Sequence, residues 1–149
     1  MKNFRKVINK QLGEILVDRG IINNAQLDEA LKLHQDQKML IGEALVHLKF
    51  TTEENIVQAL TSQYGFPYLP LSNYEISPDV LAAVSLELCR KHCLIPIDRI
   101  GKSLTLAMAN PLNLTALEEV EVASDSMVQA FVSTTTDIKA AIKRYYEAA

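Results

Sequence analysis

The strongest constraint on this chain is that it repeats itself at an interval of 29 residues. Residues 11–34 (QLGEILVDRGIINNAQLDEALKLH) align without a gap on residues 40–63 (LIGEALVHLKFTTEENIVQALTSQ). Gly13, Glu14, Leu16, Val17, Ala30 and Leu31 return as Gly42, Glu43, Leu45, Val46, Ala59 and Leu60, while Leu12, Ile21 and Leu27 return as Ile41, Phe50 and Ile56. A tandem unit of this kind folds twice in the same way and offers two similar surfaces.

Each copy reads as a helical hairpin. Leu12, Ile15, Leu16 and Arg19 share helical spacing, and Gly20 is placed to end that helix at positive φ. Asn23 or Asn24 caps a second helix with Leu27, Ala30, Leu31 and His34 on one face. The second copy follows the same plan. Leu45 and Leu48 lie in its first helix, Thr52 caps its second, and Ile56, Ala59, Leu60 and Gln63 line one face up to Tyr64-Gly65.

The pattern changes after residue 65. Phe66-Pro-Tyr-Leu-Pro-Leu-Ser reads as an extended linker, because each proline biases its predecessor away from helix. Ser77-Pro78 opens a short helix through Val84, and Ser85 caps another through His92. Leu94-Ile-Pro-Ile and Leu104-Thr-Leu-Ala-Met-Ala read as strands about a turn at Ile100-Gly-Lys-Ser. Asn113 caps a helix to Ser124, Met127–Val132 forms a third strand, and residues 136–146 a last helix. The expected fold is α+β. A four-helix subdomain over residues 1–65 and a linker over 66–76 precede an α/β subdomain over 77–149 with a three-stranded antiparallel sheet.

Composition narrows the function classes. A net charge of −3 gives no basis for bulk nucleic-acid binding, although Lys2, Arg5, Lys6 and Lys10 form a short basic arm. That arm is not followed by an apolar h-region, and no apolar run approaches the roughly 18–20 residues of a membrane span. Two cysteines do not make a disulfide framework, and a cytoplasmic location is the simplest expectation.

Catalytic chemistry is hard to place. Gly101-Lys102-Ser103 resembles the end of a phosphate-binding loop, but Pro96 stands where the first glycine belongs, and a hairpin turn is the expected structure. Cys89, His92 and Cys93 invite a metal reading without an evident fourth ligand, and buried cysteines commonly act as small hydrophobes. His34 and His47 have no nucleophile or carboxylate at a catalytic spacing, so the chain is expected not to be an enzyme.

The doubled motif resembles the N-terminal domain of type II secretion and type IV pilus assembly ATPases, in which Arg-Leu-Gly-x-x-Leu-x-x-x-Gly, six residues, then Leu-x-x-x-Leu-x-x-Gln occurs twice around a five-residue spacer. This chain supplies Leu12, Gly13, Leu16, Gly20, Leu27 and Leu31, then Ile41, Gly42, Leu45, Ile56, Leu60 and Gln63, with residues 35–39 as spacer. Phe66-Pro-Tyr, Leu94-Ile-Pro-Ile and Leu106-Ala-Met-Ala-Asn-Pro extend the similarity over residues 10–146.

The resemblance implies a binding module, either a domain of a larger ATPase or a free-standing relative. Some members recognise cyclic di-GMP through the two motifs, and others dock the ATPase on its membrane platform. The positions it marks are Gln11, Leu12, Gly13, Leu16, Leu27, Leu31 and His34, then Leu40, Ile41, Gly42, Leu45, Ile56, Leu60 and Gln63, with Asn110 beyond the linker. For a nearly two-fold symmetric dinucleotide, the leucines and isoleucines would form apolar shelves. Gly13 and Gly42 would let phosphate approach the backbone. The same stripe also serves as the core between two hairpins.

Five positions depart from the family pattern. Gln11 and Leu40 replace arginine, His34 replaces glutamine, Lys49 replaces glycine and Asn110 replaces aspartate. Charge-assisted hydrogen bonds contribute roughly 1.5–3 kcal/mol each, so losing two weakens an anion on the order of 10²-fold or more. The expected role is therefore a docking or regulatory module for a secretion or pilus platform protein or the ATPase itself, held peripherally at the inner membrane through that partner. Cyclic di-GMP sensing is the alternative, and no cofactor is required.

Overall fold

The computed structural model describes residues 12–72 and 74–147. The basic arm and Gln11 lie outside the described residues. The chain divides into two compact units, one through Gly65 and one from Phe66 onward.

The first unit is helical. Residues 12–18 form α1, followed by α2 (Asn24–Gln37), α3 (Ile41–His47) and α4 (Glu53–Tyr64). Asn23 caps α2 in a reciprocal box: its Oδ1 accepts from Gln26 N at 2.8 Å and its own N donates to Gln26 Oε1 at 2.9 Å. Thr52, 29 residues on, caps α4 through Oγ1, which accepts from Asn55 N at 3.2 Å. α2 packs against α3, and α3 against α4. The core they enclose is Leu12, Leu16, Ile22, Ala30, Ala44, Leu45, Ala59 and Leu60, all buried. α2 runs on through Gln37 before Lys38 turns the chain at φ 55°, so the spacer at 35–39 is partly helical.

The second unit is α+β. Its helices are α5 (Pro78–Leu81), α6 (Leu86–His92), α7 (Leu114–Ser124) and α8 (Thr135–Ile142), and α8 runs into a π-helical turn over Lys143–Glu147. Ser77, Ser85, Asn113 and Thr134 cap these four helices, each accepting from a backbone N–H three residues on. Strands β1 (Leu94–Ile100), β2 (Ser103–Met108) and β3 (Met127–Val132) lie in the order β1-β2-β3. Residues 94–97 of β1 are all buried, and successive strand residues point to opposite faces, so both faces are covered there. Leu104, Leu106, Met108, Val120 and Ile138 complete the core.

The sheet is mixed, which corrects the antiparallel expectation. β1 and β2 form a hairpin across Gly101-Lys102, with Gly101 at φ +60°. β2 and β3 are parallel, with Ser103 opposite Met127 and Met108 opposite Val132. Between them the chain makes a helical crossover through α7, which returns it to the end of the sheet where β2 began; that connection gives a parallel neighbour. Pro96 sits in an edge strand beside a register shift between Pro96 and Asp98, where its missing N–H is tolerated.

Residues 66–72 do not simply hang between the units. Leu69 N donates to Val132 O and Val132 N to Pro67 O, both at 2.9 Å, so Tyr68 makes a parallel bridge with Val132. Tyr145 Oη donates to Tyr74 O at 2.6 Å, and Tyr146 Oη lies 2.9 Å from both Leu81 O and Val84 O. Adjacent tyrosines fixed in this way explain the π-helical turn: the wider turn lets both side chains reach the 74–84 segment.

Candidate functional site

The two copies of the repeat end their first helices identically. Gly20 N donates to Val17 O at 3.0 Å and Ile21 N to Leu16 O at 2.9 Å; 29 residues later, Lys49 N donates to Val46 O at 2.9 Å and Phe50 N to Leu45 O at 3.0 Å. This is the Schellman arrangement, in which the residue after the helix must be left-handed. Gly20 holds φ 73° and Lys49 holds φ 64°. Lys49 therefore departs from the motif in residue type and keeps its backbone. The left-handed conformation costs a non-glycine residue about 1–2 kcal/mol.

Burial separates the marked positions into groups. Leu12, Gly13, Leu16, Ile41, Leu45, Ile56 and Leu60 are buried, with Leu16, Leu45 and Leu60 fully enclosed. Leu27, Leu31, His34, Leu40 and Gly42 are half-buried, and Gln63 is exposed. The accessible part of the motif surface is thus Leu27, Leu31, His34, Leu40, Gly42 and Gln63, drawn from α2, the turn after it, α3 and α4. Asn110 belongs to the second unit, where its Oδ1 accepts from Leu112 N at 3.2 Å.

The two motif glycines have different surroundings. A Cβ on Gly13 would lie 2.5 Å from Leu27 Cδ1, whereas one on Gly42 would meet Ile56 Cδ1 at 3.5 Å, an ordinary contact. A side chain at position 13 would require Leu27 to shift. Gly42 could carry a Cβ in ordinary contact with Ile56.

The motif heads are uncharged where they are visible. Leu40 occupies the N-cap of α3 in extended backbone, and its N–H donates to Glu43 Oε1 at 3.4 Å. His34 Nδ1 hydrogen-bonds the carbonyl of Met39, so it ties α2 to the turn leading into α3. At the end of α4, burial and then the negative charge of Glu14 raise the pKa of Tyr64.

Thr51 is a residue that motif reasoning missed. Its Oγ1 is buried and has no hydrogen-bond partner. The signal was present in the alignment: the first copy has the buried apolar Ile22 at the same place.

The cysteine and histidine cluster lies in the second unit. Cys89 and Cys93 are buried and not joined in a disulfide, and His92 Nε2 lies 3.0 Å from Glu119 Oε2. Burial pushes the Cys89 thiol up to about 11, partly offset by its hydrogen bond to Tyr146. Among the described residues, no group of three or more His, Cys, Asp or Glu side chains is arranged to hold a metal ion.

With that fold and tandem repeat established, comparison with known proteins defines the class. The chain belongs to the MshEN domain family, whose model matches residues 64–149. Over 136 residues it is 33% identical to the type IV pilus assembly ATPase PilB of Myxococcus xanthus, covering 91% of this chain and 24% of that protein. The PilB of Thermus thermophilus is 29% identical over 140 residues, 93% of this chain and 16% of that protein. The chain thus spans about a quarter or less of the length of these relatives.

Among solved structures, MshE with cdg (cyclic di-GMP) superposes with a TM-score of 0.67 at 27% identity, covering 91% of this chain and 98% of that one. The N-terminal domain of XpsE superposes with a TM-score of 0.74 at 18% identity, covering 93% and 95%, which establishes the shared fold. Among the described residues, no helix is long and apolar enough to cross a membrane.

Proposed function

We propose that this chain is a non-catalytic docking and regulatory module of a type IV pilus or type II secretion ATPase, which binds a protein of that machinery at the cytoplasmic face of the inner membrane. The observation that carries this reading is the contrast within the repeat. Both hairpins keep the same backbone, down to the hydrogen bonds that end their first helices, while the visible motif head at Leu40 carries no charge. A repeated scaffold without a cation at its visible head suits protein contact better than phosphate recognition. The buried leucines serve the core, and the half-buried set around Leu27, Leu31 and Leu40 is left for a partner.

A second reading is cyclic di-GMP sensing across the two motifs, favoured by the likeness to MshE with cdg. Gly42, half-buried in the first turn of α3, supports it, since a glycine there presents backbone without a side chain to a ligand. Calorimetric titration with cyclic di-GMP separates the two. The docking reading expects affinity no tighter than about micromolar, strengthened when Gln11→Arg and Leu40→Arg restore two charge-assisted bonds. Tight binding by the unaltered chain would move the assignment to a sensor. No heat even with both arginines restored would exclude the sensor.

A further inference from the structure

The sheet of the second unit leaves one face open at its hairpin end. The strand ladders set Ile100, Ser103 and Met127 in one row across β1, β2 and β3, and Asp98, Thr105 and Gln129 in the next row of the same face. Ile100 is 76% exposed and Met127 74%. Asp98 and Gln129 are exposed too, with Ser103 and Thr105 half-buried between them. Further along this face Ile95 and Ala107 are buried and Phe131 is half-buried, so the cover stops partway down the strands. The opposite face is closed here: Leu104 is buried, and Arg99 Nη2 donates to Ser124 O at the end of α7 at 3.2 Å.

Single exposed apolar residues need no explanation, but these two share one row. β2 and β3 are also parallel, and parallel pairs are ordinarily covered on both faces. Asp98 decides what kind of cover fits. Its Oδ1 accepts from Arg99 N at 2.9 Å, and an apolar helix laid on the strip would offer no donor to the other oxygen.

We propose that this strip packs face to face on the same strip of a second copy of the chain, about a two-fold axis lying between the sheets and parallel to β2. Such an axis sets β1 over β3 of the second copy, and β3 over its β1. Ile100 then meets Met127 of the second copy, Asp98 meets the amide of Gln129, and Ser103 and Thr105 meet their own counterparts. Apolar groups face apolar groups, and the carboxylate faces a donor. An axis across the strands would instead set Asp98 against Ile100 or against another Asp98. The strip measures roughly 14 by 14 Å, from three strands about 4.8 Å apart and two rows about 7 Å apart. That is far below the about 800 Å² that each partner of a stable complex buries, so the association is weak, with Kd on the order of 0.1–1 mM. It acts between copies already held close together. The tandem repeat takes no part in it.

The test is NMR of the whole chain across a concentration series from about 20 μM to about 2 mM, which brackets that Kd. Amide shifts at residues 98–105 and 127–129 should move with concentration. A mixture of isotope-labelled and unlabelled chain should show an NOE between Ile100 and Met127 methyl groups of different copies. Within one chain those residues stand two strands apart, about 10 Å, too far for that signal. Met127→Lys, at an exposed position, should weaken association about tenfold or more. Gln129→Lys should tighten it roughly 2–5-fold by pairing with Asp98 of the second copy, and Gln129→Glu should loosen it. The proposal is overturned if the shifts do not depend on concentration, if the NOE between copies is absent, or if the two Gln129 variants act alike. Another protein seated on this strip of a chain that stays monomeric would overturn it too.

Discussion

Leu27 packs so closely over Gly13 that an alanine Cβ there would lie 2.5 Å from its Cδ1 and 3.1 Å from its Cδ2. The equivalent pair in the second hairpin, Ile56 and Gly42, leaves 3.5 Å. Overpacking a close contact typically costs about 1–3 kcal/mol. Gly13→Ala should therefore lower the unfolding free energy by an amount up to that range, read as a lower urea midpoint at unchanged slope. Gly42→Ala should be neutral or stabilising by up to about 1 kcal/mol, through helix propensity. Equal losses in both variants would contradict the asymmetry.

Lys49 holds a left-handed backbone where its repeat partner is Gly20. Replacing it with glycine removes the steric cost and adds some chain entropy to the unfolded state. Lys49→Gly should raise stability by about 0.5–1 kcal/mol, read as an upward shift in the denaturation midpoint at unchanged slope. A loss of stability would mean that the lysine side chain contributes more than its backbone costs.

Thr51 buries an unpaired hydroxyl at the position that Ile22 fills in the first hairpin. Replacing an unsatisfied buried polar group with an apolar one of the same shape removes its desolvation penalty, roughly 1–3 kcal/mol. Thr51→Val should stabilise the first unit by about 1 kcal/mol in thermal or urea unfolding. Destabilisation would show that the hydroxyl is satisfied in solution.

Glu119 links α6 to α7. Its hydrogen bond from His92, foremost, and then the positive charges of His92 and Lys91 hold its carboxyl below the usual carboxylate range, against partial desolvation. A carboxyl whose folded pKa lies below its unfolded value binds fewer protons in the folded state. Its stabilisation is therefore present above the unfolded value of about 4.3, and is lost as pH falls through the folded pKa. Glu119→Gln should flatten the stability-versus-pH curve below about pH 4.5 and lower the plateau above it. An unchanged acid limb would show that this pair is not coupled to folding.

Much of the fold was legible because the signals are local. Thr52, Ser85 and Asn113 cap the helices they were expected to cap, Asn23 caps where Asn23 or Asn24 was expected, and Ser77-Pro78 opens its helix with Ser77 as the cap, since an N-cap depends on three or four neighbouring residues. Gly101 turns the hairpin in place of a phosphate loop for the same reason. The direction of β3 was misread, although the helix between β2 and β3 already implied a crossover. The π-helical turn was not legible at all. It rests on hydrogen bonds from Tyr145 and Tyr146 to backbone more than 60 residues away.

The candidate site was legible as positions and not as a surface. Helical spacing placed Leu16, Leu27, Leu45 and Leu60 on inward faces, but periodicity does not separate fully enclosed Leu16, Leu45 and Leu60 from half-buried Leu27. That difference depends on which helices pack together.

The most direct test of the docking role is to measure binding of the purified chain to the purified cytoplasmic domain of a pilus or secretion platform protein, with and without cyclic di-GMP. The account predicts a saturable complex of the same affinity in both conditions, weakened when Leu31→Asp/Leu40→Asp places charge on the half-buried patch. No complex in either condition, or one that forms only with the dinucleotide present, would contradict it.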